Sequence, residues 1–190
     1  MQELREYSDI AEIGEIARRY FAMNAFDGVL TIIGVLMGNY MAQVRQPAIV
    51  ISTGLSTCIA MGISGLWGAY LTESAERKRD LDDLQRRTLT DLSQTKIGRA
   101  SRAAVVIVAL IDGLAPFLSA LVVLVPFFFT AFLTEIAVSY YLSLGMALAA
   151  LFSLGAFLGK VSRDNLVVSG VKMIAAGLVS ILLSYLLGKA

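Results

Sequence analysis

The chain has 190 residues and a formal net charge of +1, with no histidine and a single cysteine, Cys58. Hydrophobic residues make up 57% of it and charged residues only 16%, which excludes an ordinary soluble globular domain. Only Asp27, Asp112 and Lys172 lie inside the long apolar runs. This segregation of charge predicts an integral membrane protein. The single cysteine and the absence of histidine exclude a disulfide framework, a thiolate metal cage and an imidazole metal site, and nothing in the sequence indicates nucleic-acid binding.

Residues 1–20 predict a cytosolic amphipathic leader before the first apolar run. The segment is charged and polar, and its apolar residues fall roughly on one face of a helix. It is interpreted either as a surface helix leading into the membrane or as a solvated leader. Without an apolar core, it is not expected to act as a cleavable signal peptide.

The apolar runs predict an all-α integral membrane protein with five transmembrane helices. The expected spans are residues 21–41, 48–72, a third that begins near Ala103, 136–159 and 166–188. The third run reaches Thr134, which is too long for one straight span, and Pro126 is expected to mark the break.

The second helix is expected to extend beyond the membrane, because no helix-breaking residue separates its apolar run from the charged stretch that follows. The predicted organisation is therefore a leader, two spans, a charged helical insert and three further spans. Their ranges are 1–20, 21–72, 73–102 and 103–190.

The basic residues predict the orientation of the chain in the membrane. The leader carries three, the segment 73–102 carries eight and the loop 160–165 carries two, whereas the opposite side has only Arg45 and Lys189. Since cytosolic loops are enriched in lysine and arginine, the N-terminus and the charged insert are expected in the cytosol.

Asp27 is the strongest candidate for a functional residue. It lies in the apolar run NAFDGVLTIIGVLMG, and a carboxylate within a spanning helix is costly unless it serves a function or pairs with another group. Helical spacing places Thr31 a turn after Asp27, and Met23 and Asn24 a turn before it. The alternative is a structural acid paired with a neighbouring helix.

Four segments together resemble the vacuolar iron transporter family, over residues 20–189. They are DGVLTIIGVLMG, CIAMGISGLWGAYLTESAERK, LVVLVPFF and SGVKMIAAGLVSILLSYLLGK, in that order. The sequence departs from the family pattern at Phe26, where a polar residue is usual, and at Gly65, where a glutamate is usual. Its cytosolic insert is also shorter and contains no methionine.

The resemblance implies a homodimeric exporter that moves Fe²⁺ or Mn²⁺ out of the cytosol in exchange for protons. It implies that Asp27 and Met61 are metal-site residues. Met23, Asn24 and Thr31 are nearby candidates on helical spacing alone. A carboxylate with a thioether suits Fe²⁺ or Mn²⁺ better than Mg²⁺ or Ca²⁺. Met61 can equally be a packing residue. No cofactor is implied beyond the transported metal.

Asp112 and Lys172 are predicted to form a second intramembrane charge site. Each lies six to nine residues in from the cytosolic end of its span, about 9–14 Å at the helical rise. They are interpreted either as a structural ion pair or, for Asp112, as a second metal or proton site. The Asp112–Gly113 pair repeats the Asp-Gly sequence of the first span.

The cytosolic end of the second helix carries an acidic face, Glu73, Glu76, Asp80 and Asp83. Glu73 and Glu76, nearest the membrane, are predicted to collect metal ions at the mouth of the pathway. The alternative is a salt-bridged surface helix, because acids and bases four residues apart are frequent here, as in Glu73 and Arg77.

Two other functions stay open at this level. One is a proton-coupled carrier of another small solute, and the other is a non-transporting membrane scaffold or sensor. Nothing in the sequence indicates an enzyme, since it shows neither a nucleophile paired with a base nor a cofactor-binding loop. The expected partners are divalent metal ions, protons, the lipid bilayer and a second copy of the chain. The small size and short insert favour a prokaryotic cell membrane over a vacuolar membrane.

Overall fold

The structure, a computed structural model, describes residues 13–130 and 135–188. Within these ranges it contains five helices: α1 (Ile13–Met41), α2 (Pro47–Thr88), α3 (Lys96–Phe128), α4 (Ile136–Ser162) and α5 (Leu166–Leu187). Each is long and apolar enough to cross a membrane. The prediction of an all-helical fold with five spans is confirmed. The predicted leader falls largely on residues 1–12, outside the described ranges.

The described chain divides into two compact units. The first contains residues 13–23 with Gly62–Leu114, and the second contains Asn24–Met61 with residues 115–130 and 135–188. The first unit therefore holds the charged end of α2 and the beginning of α3. The second holds most of the apolar helix segments.

The core of the second unit is built from the buried faces of four helices. Fully buried side chains on α1, α2, α3 and α4 share one apolar cluster, which includes Ile32, Val50, Phe127 and Leu151. At the edge of this cluster, the Tyr140 hydroxyl donates a hydrogen bond to the backbone oxygen of Val44 at 3.1 Å. The cluster leaves other faces of the same helices uncovered, as expected for helices that meet lipid.

Helices α4 and α5 form a tight hairpin within the second unit. Asn165 caps α5, because its side-chain oxygen accepts hydrogen bonds from the N–H groups of Val167 and Val168 at 3.0 and 3.3 Å. Gly155 allows the two helices to approach closely, since a Cβ there would lie 2.5 Å from the backbone oxygen of Ser169. Small residues play this role between membrane helices.

In the first unit, α2 runs without interruption from its apolar part to Thr88, as predicted. A short turn follows before α3 begins at Lys96. In this turn the hydroxyl and the N–H of Ser93 donate hydrogen bonds to Asp91 at 2.6 and 2.8 Å. These two hydrogen bonds hold the pKa of the Asp91 carboxyl below its ordinary value, and the one from the hydroxyl has the larger effect.

The prediction that the third helix breaks at Pro126 was wrong by two residues. Helix α3 contains both Pro116 and Pro126 and ends at Phe128. A proline removes one backbone donor from the helix but leaves the residues after it able to continue. Just beyond Pro126 the N–H of Phe129 donates to the Pro126 oxygen at 3.2 Å, a tighter turn that closes the helix.

Candidate functional site

Asp27 lies on an uncovered side of α1. Its side chain is exposed, whereas the neighbouring Ala25 and Val29 are buried. Farther along the same side, a Cβ added at Gly34 or Gly38 would meet no atom within 4 Å. The face of α1 that carries the acid is therefore not packed against another helix of the second unit.

Gly28, next to Asp27, performs a different task. A Cβ at this position would lie 2.5 Å from the backbone oxygen of Pro116, 2.6 Å from its Cα and 2.6 Å from the hydroxyl oxygen of Ser119. Only glycine allows α1 to approach α3 this closely. The Asp-Gly pair thus combines a buried helix contact with an outward-facing carboxylate.

Other predicted site residues of the second unit occupy different environments. Thr31 and Asn24 are half-buried on α1. Met61 is also half-buried, and it packs against the apolar core. The structure therefore places Met61 in contact with packing residues and Asp27 at the surface of the same unit.

The predicted site residues of the first unit also differ in their exposure. Met23 is 57% exposed. Glu73 is buried, and the Arg77 guanidinium donates a hydrogen bond to its carboxylate at 3.0 Å. Glu76 is exposed. This arrangement favours the salt-bridge interpretation for Glu73, while Glu76 retains a carboxylate open to water.

The second Asp-Gly pair also marks a close helix contact. A Cβ at Gly113 would lie 2.6 Å from the backbone oxygen of Gly62, and a Cβ at Gly65 would lie 2.7 Å from the backbone oxygen of Asp112. The Asp112 side chain is half-buried in the first unit. Lys172 is exposed on α5 in the second unit, and its pairing with Asp112 stays a prediction.

The donor set within one chain is sparse. In residues 13–130 and 135–188, no group of three or more acidic or cysteine side chains is placed to hold a metal ion. Cys58 is fully buried in the apolar core. Asp27 therefore offers a single carboxylate on an open helix face.

Comparison with known proteins identifies the family. The sequence profile of the VIT family matches residues 87–189. The chain is also 32% identical to an uncharacterized protein of the archaeon Methanocaldococcus jannaschii over 180 residues, which cover 93% of this chain and 91% of the relative.

The chain belongs to the vacuolar iron transporter (VIT) family. As a VIT family member it is a membrane transporter of metal ions rather than an enzyme, and it is an integral membrane protein with five spanning helices. The archaeal origin of the relative agrees with the expected prokaryotic membrane. The profile match begins at Arg87, so the resemblance of α1 and the apolar part of α2 rests on the quoted segments and on the archaeal relative.

The sequence interpretation missed two features of this VIT family member. It treated Gly28 only as part of an acidic motif, although glycine within a span is itself a signal of close helix contact. It also overlooked Ser139 and Ser143 on α4, whose fully buried hydroxyls have no hydrogen-bond partner among the described residues. Their spacing of four residues in an apolar run was the available signal.

Proposed function

We propose that this transporter exports Fe²⁺ or Mn²⁺ from the cytosol in exchange for protons, with Asp27 as the central metal ligand. The observation that carries the proposal is the exposed carboxylate of Asp27 on a membrane-spanning helix. An acid within the hydrocarbon region is costly, up to about 2.5–3.5 kcal/mol at the bilayer centre on insertion scales, so it requires water, a metal ion or a protein partner. A transport pathway supplies the first two.

The open face of α1 also supports the proposal that the transporter is a homodimer. Asp27, Gly34 and Gly38 lie on a side of α1 that leaves room for another helix. A two-fold axis beside this face would bring two Asp27 carboxylates together. Two carboxylates would remedy the sparse donor set of one chain and match the charge of a divalent ion.

In the proposed cycle, the ionised Asp27 binds the metal from the cytosolic side. After the pathway opens outward, a proton neutralises the carboxylate and weakens its attraction for the cation, which then leaves. The thioether of Met61 is proposed to approach the metal in one state of the cycle and to favour Fe²⁺ or Mn²⁺ over Mg²⁺ and Ca²⁺. Met23, Asn24 and Thr31 are proposed to supply additional contacts near Asp27.

The cytosolic mouth is proposed to use Glu76 more than Glu73. Glu76 is exposed, whereas Glu73 already accepts a hydrogen bond from Arg77. Asp112 is proposed as a second intramembrane acid, with Lys172 as its counter-charge. Both assignments predict effects on metal export or proton coupling rather than on folding alone.

The test of transport is metal flux in proteoliposomes carrying a pH gradient. We expect the wild-type protein to move Fe²⁺ and Mn²⁺ in the direction opposite to the proton flow. We expect Asp27→Asn to lose this metal flux. Asp164→Asn is the matched control, because it removes a carboxylate in the exposed turn between α4 and α5. Full metal flux by Asp27→Asn would refute the proposed site. Proton-coupled uptake insensitive to both metals would favour a carrier of another solute.

The homodimer has a separate test, by cysteine cross-linking in a background without the native cysteine, Cys58→Ala. Gly38→Cys places a thiol on the open face of α1, and we expect a cross-linked dimer in membranes. Val168→Cys, on an exposed position of α5, is the control and should stay monomeric. Cross-linking at Val168→Cys alone would place the interface on α5 and overturn the proposed arrangement.

A further inference from the structure

A cavity of about 410 Å³ lies in the first unit, between the charged part of α2 and the beginning of α3. Its polar wall contains the cations Arg77, Lys78 and Arg102 together with hydroxyl groups, including that of Ser101. No acidic side chain is among the residues that line it. The proposed metal pathway does not use this cavity, and a site without carboxylates is unsuited to a divalent metal ion.

The cations of the cavity are not equivalent. Arg77 donates its hydrogen bond to Glu73, which neutralises its charge. Lys78 and Arg102 are both exposed, and neither forms an ion pair with an acid among the described residues. Arg102 donates one hydrogen bond to the backbone oxygen of Ser93 at 3.1 Å, which orients its guanidinium without neutralising it. The cavity therefore carries two positive charges available to an anion.

The cavity also has an apolar lining, contributed by both helices. It includes Leu81, Val105 and Val106, and Val106 is 50% exposed. Tyr70 also lines the cavity, at the point where the apolar part of α2 ends. Tyrosine at such a position is typical of the interface between hydrocarbon and headgroups. An occupant must therefore join an anionic group to an apolar part.

We propose that this cavity binds the phosphate headgroup of an anionic membrane phospholipid. The phosphate would lie between Lys78 and Arg102, while the adjoining glycerol and first chain carbons would follow Val105 and Val106. Charge-assisted contacts from lysine and arginine suit phosphate oxygens, and basic pockets beside spans on the cytosolic side are suited to anionic headgroups. The position of the cavity favours a lipid over a soluble phosphate, since Val105 and Val106 lie at the beginning of the apolar run of α3.

The experiment uses the full-length protein in detergent, titrated with phosphatidylglycerol or with phosphatidylcholine. Thermal unfolding and native mass spectrometry report retained lipid. We expect phosphatidylglycerol to bind and to raise the melting temperature, and phosphatidylcholine to do neither. The double variant Lys78→Gln/Arg102→Gln should bind phosphatidylglycerol at least about tenfold more weakly, since each lost charge-assisted contact weakens binding markedly.

Two further variants separate the site from general electrostatics. Arg79→Gln/Arg99→Gln removes the same charge from exposed positions of α2 and α3 that do not line the cavity, and should change the affinity less than about twofold. Lys78→Arg/Arg102→Lys keeps both charges and should retain binding, which guards against a folding defect. Equal loss in the control pair would overturn the proposal. If inorganic phosphate bound as tightly as phosphatidylglycerol and displaced it from the protein, the cavity would be assigned to a soluble anion instead.

Discussion

Gly28→Ala is the substitution for which the structure makes the sharpest prediction. The added Cβ would lie 2.5 Å from the backbone oxygen of Pro116, whereas real Cβ atoms essentially never approach other atoms within 3.0 Å. The obstacle is α3 backbone, which cannot rotate away as a flexible side chain can. The two helices must therefore separate by about 0.5 Å, and such overpacking costs about 1–3 kcal/mol.

Gly145→Ala is the matched control for this prediction. Gly145 lies exposed within α4, and a Cβ there meets no atom within 4 Å. Both substitutions gain the same helix propensity, about 1 kcal/mol, so this term cancels in the comparison. The remaining difference of about 2 kcal/mol corresponds to a melting temperature about 4–8 °C lower for Gly28→Ala than for Gly145→Ala.

The assay is thermal unfolding of both variants in the same detergent, followed by circular dichroism. The comparison should be made without added metal, so that any change in metal binding does not contribute. Equal melting temperatures for the two variants would refute the reasoning, because they would show that α1 and α3 can separate at Gly28 without cost.

Two further stability predictions concern buried polar groups. Glu73→Gln should lower the free energy of unfolding by about 1–3 kcal/mol, because it leaves the Arg77 charge unpaired. Glu76→Gln, at an exposed position, should change it by less than about 0.5 kcal/mol. Equal effects of the two substitutions in unfolding experiments would contradict the buried pair. Ser143→Ala should leave the melting temperature unchanged or raise it, because its buried hydroxyl lacks a partner. Ser153→Ala, which removes a hydroxyl bonded to the backbone, is the control, and a larger loss in Ser143→Ala would reveal a partner for that hydroxyl.

The transport proposal and the lipid proposal can fail independently. Asp27→Asn tests a carboxylate within α1, whereas Lys78→Gln/Arg102→Gln tests cations in the charged part of α2 and at the beginning of α3. If Lys78→Gln/Arg102→Gln no longer bound phosphatidylglycerol but still exported metal, the exchanger proposal would stand. A transport-dead Asp27→Asn that still binds phosphatidylglycerol would leave the lipid site intact.

The sequence alone determined the number and approximate limits of the spans. Long apolar runs have one stable solution in a bilayer, because every backbone polar group must be satisfied within the helix. The sequence also singled out Asp27, since a carboxylate in such a run requires an explanation wherever its helix packs. The continuation of α2 through the charged segment followed from the absence of a helix breaker before Thr88.

Only the tertiary structure decided which faces of those helices are covered. Gly28 and Gly34 are the same residue type on the same helix, yet one contacts the backbone of α3 and the other meets open space. Likewise Glu73 is buried beside Arg77, whereas Glu76 is exposed one turn away. Hydropathy cannot distinguish such pairs, because lipid is as apolar as a neighbouring helix. Close steric fit decides the packing of membrane helices, and fit depends on residues far apart in the chain.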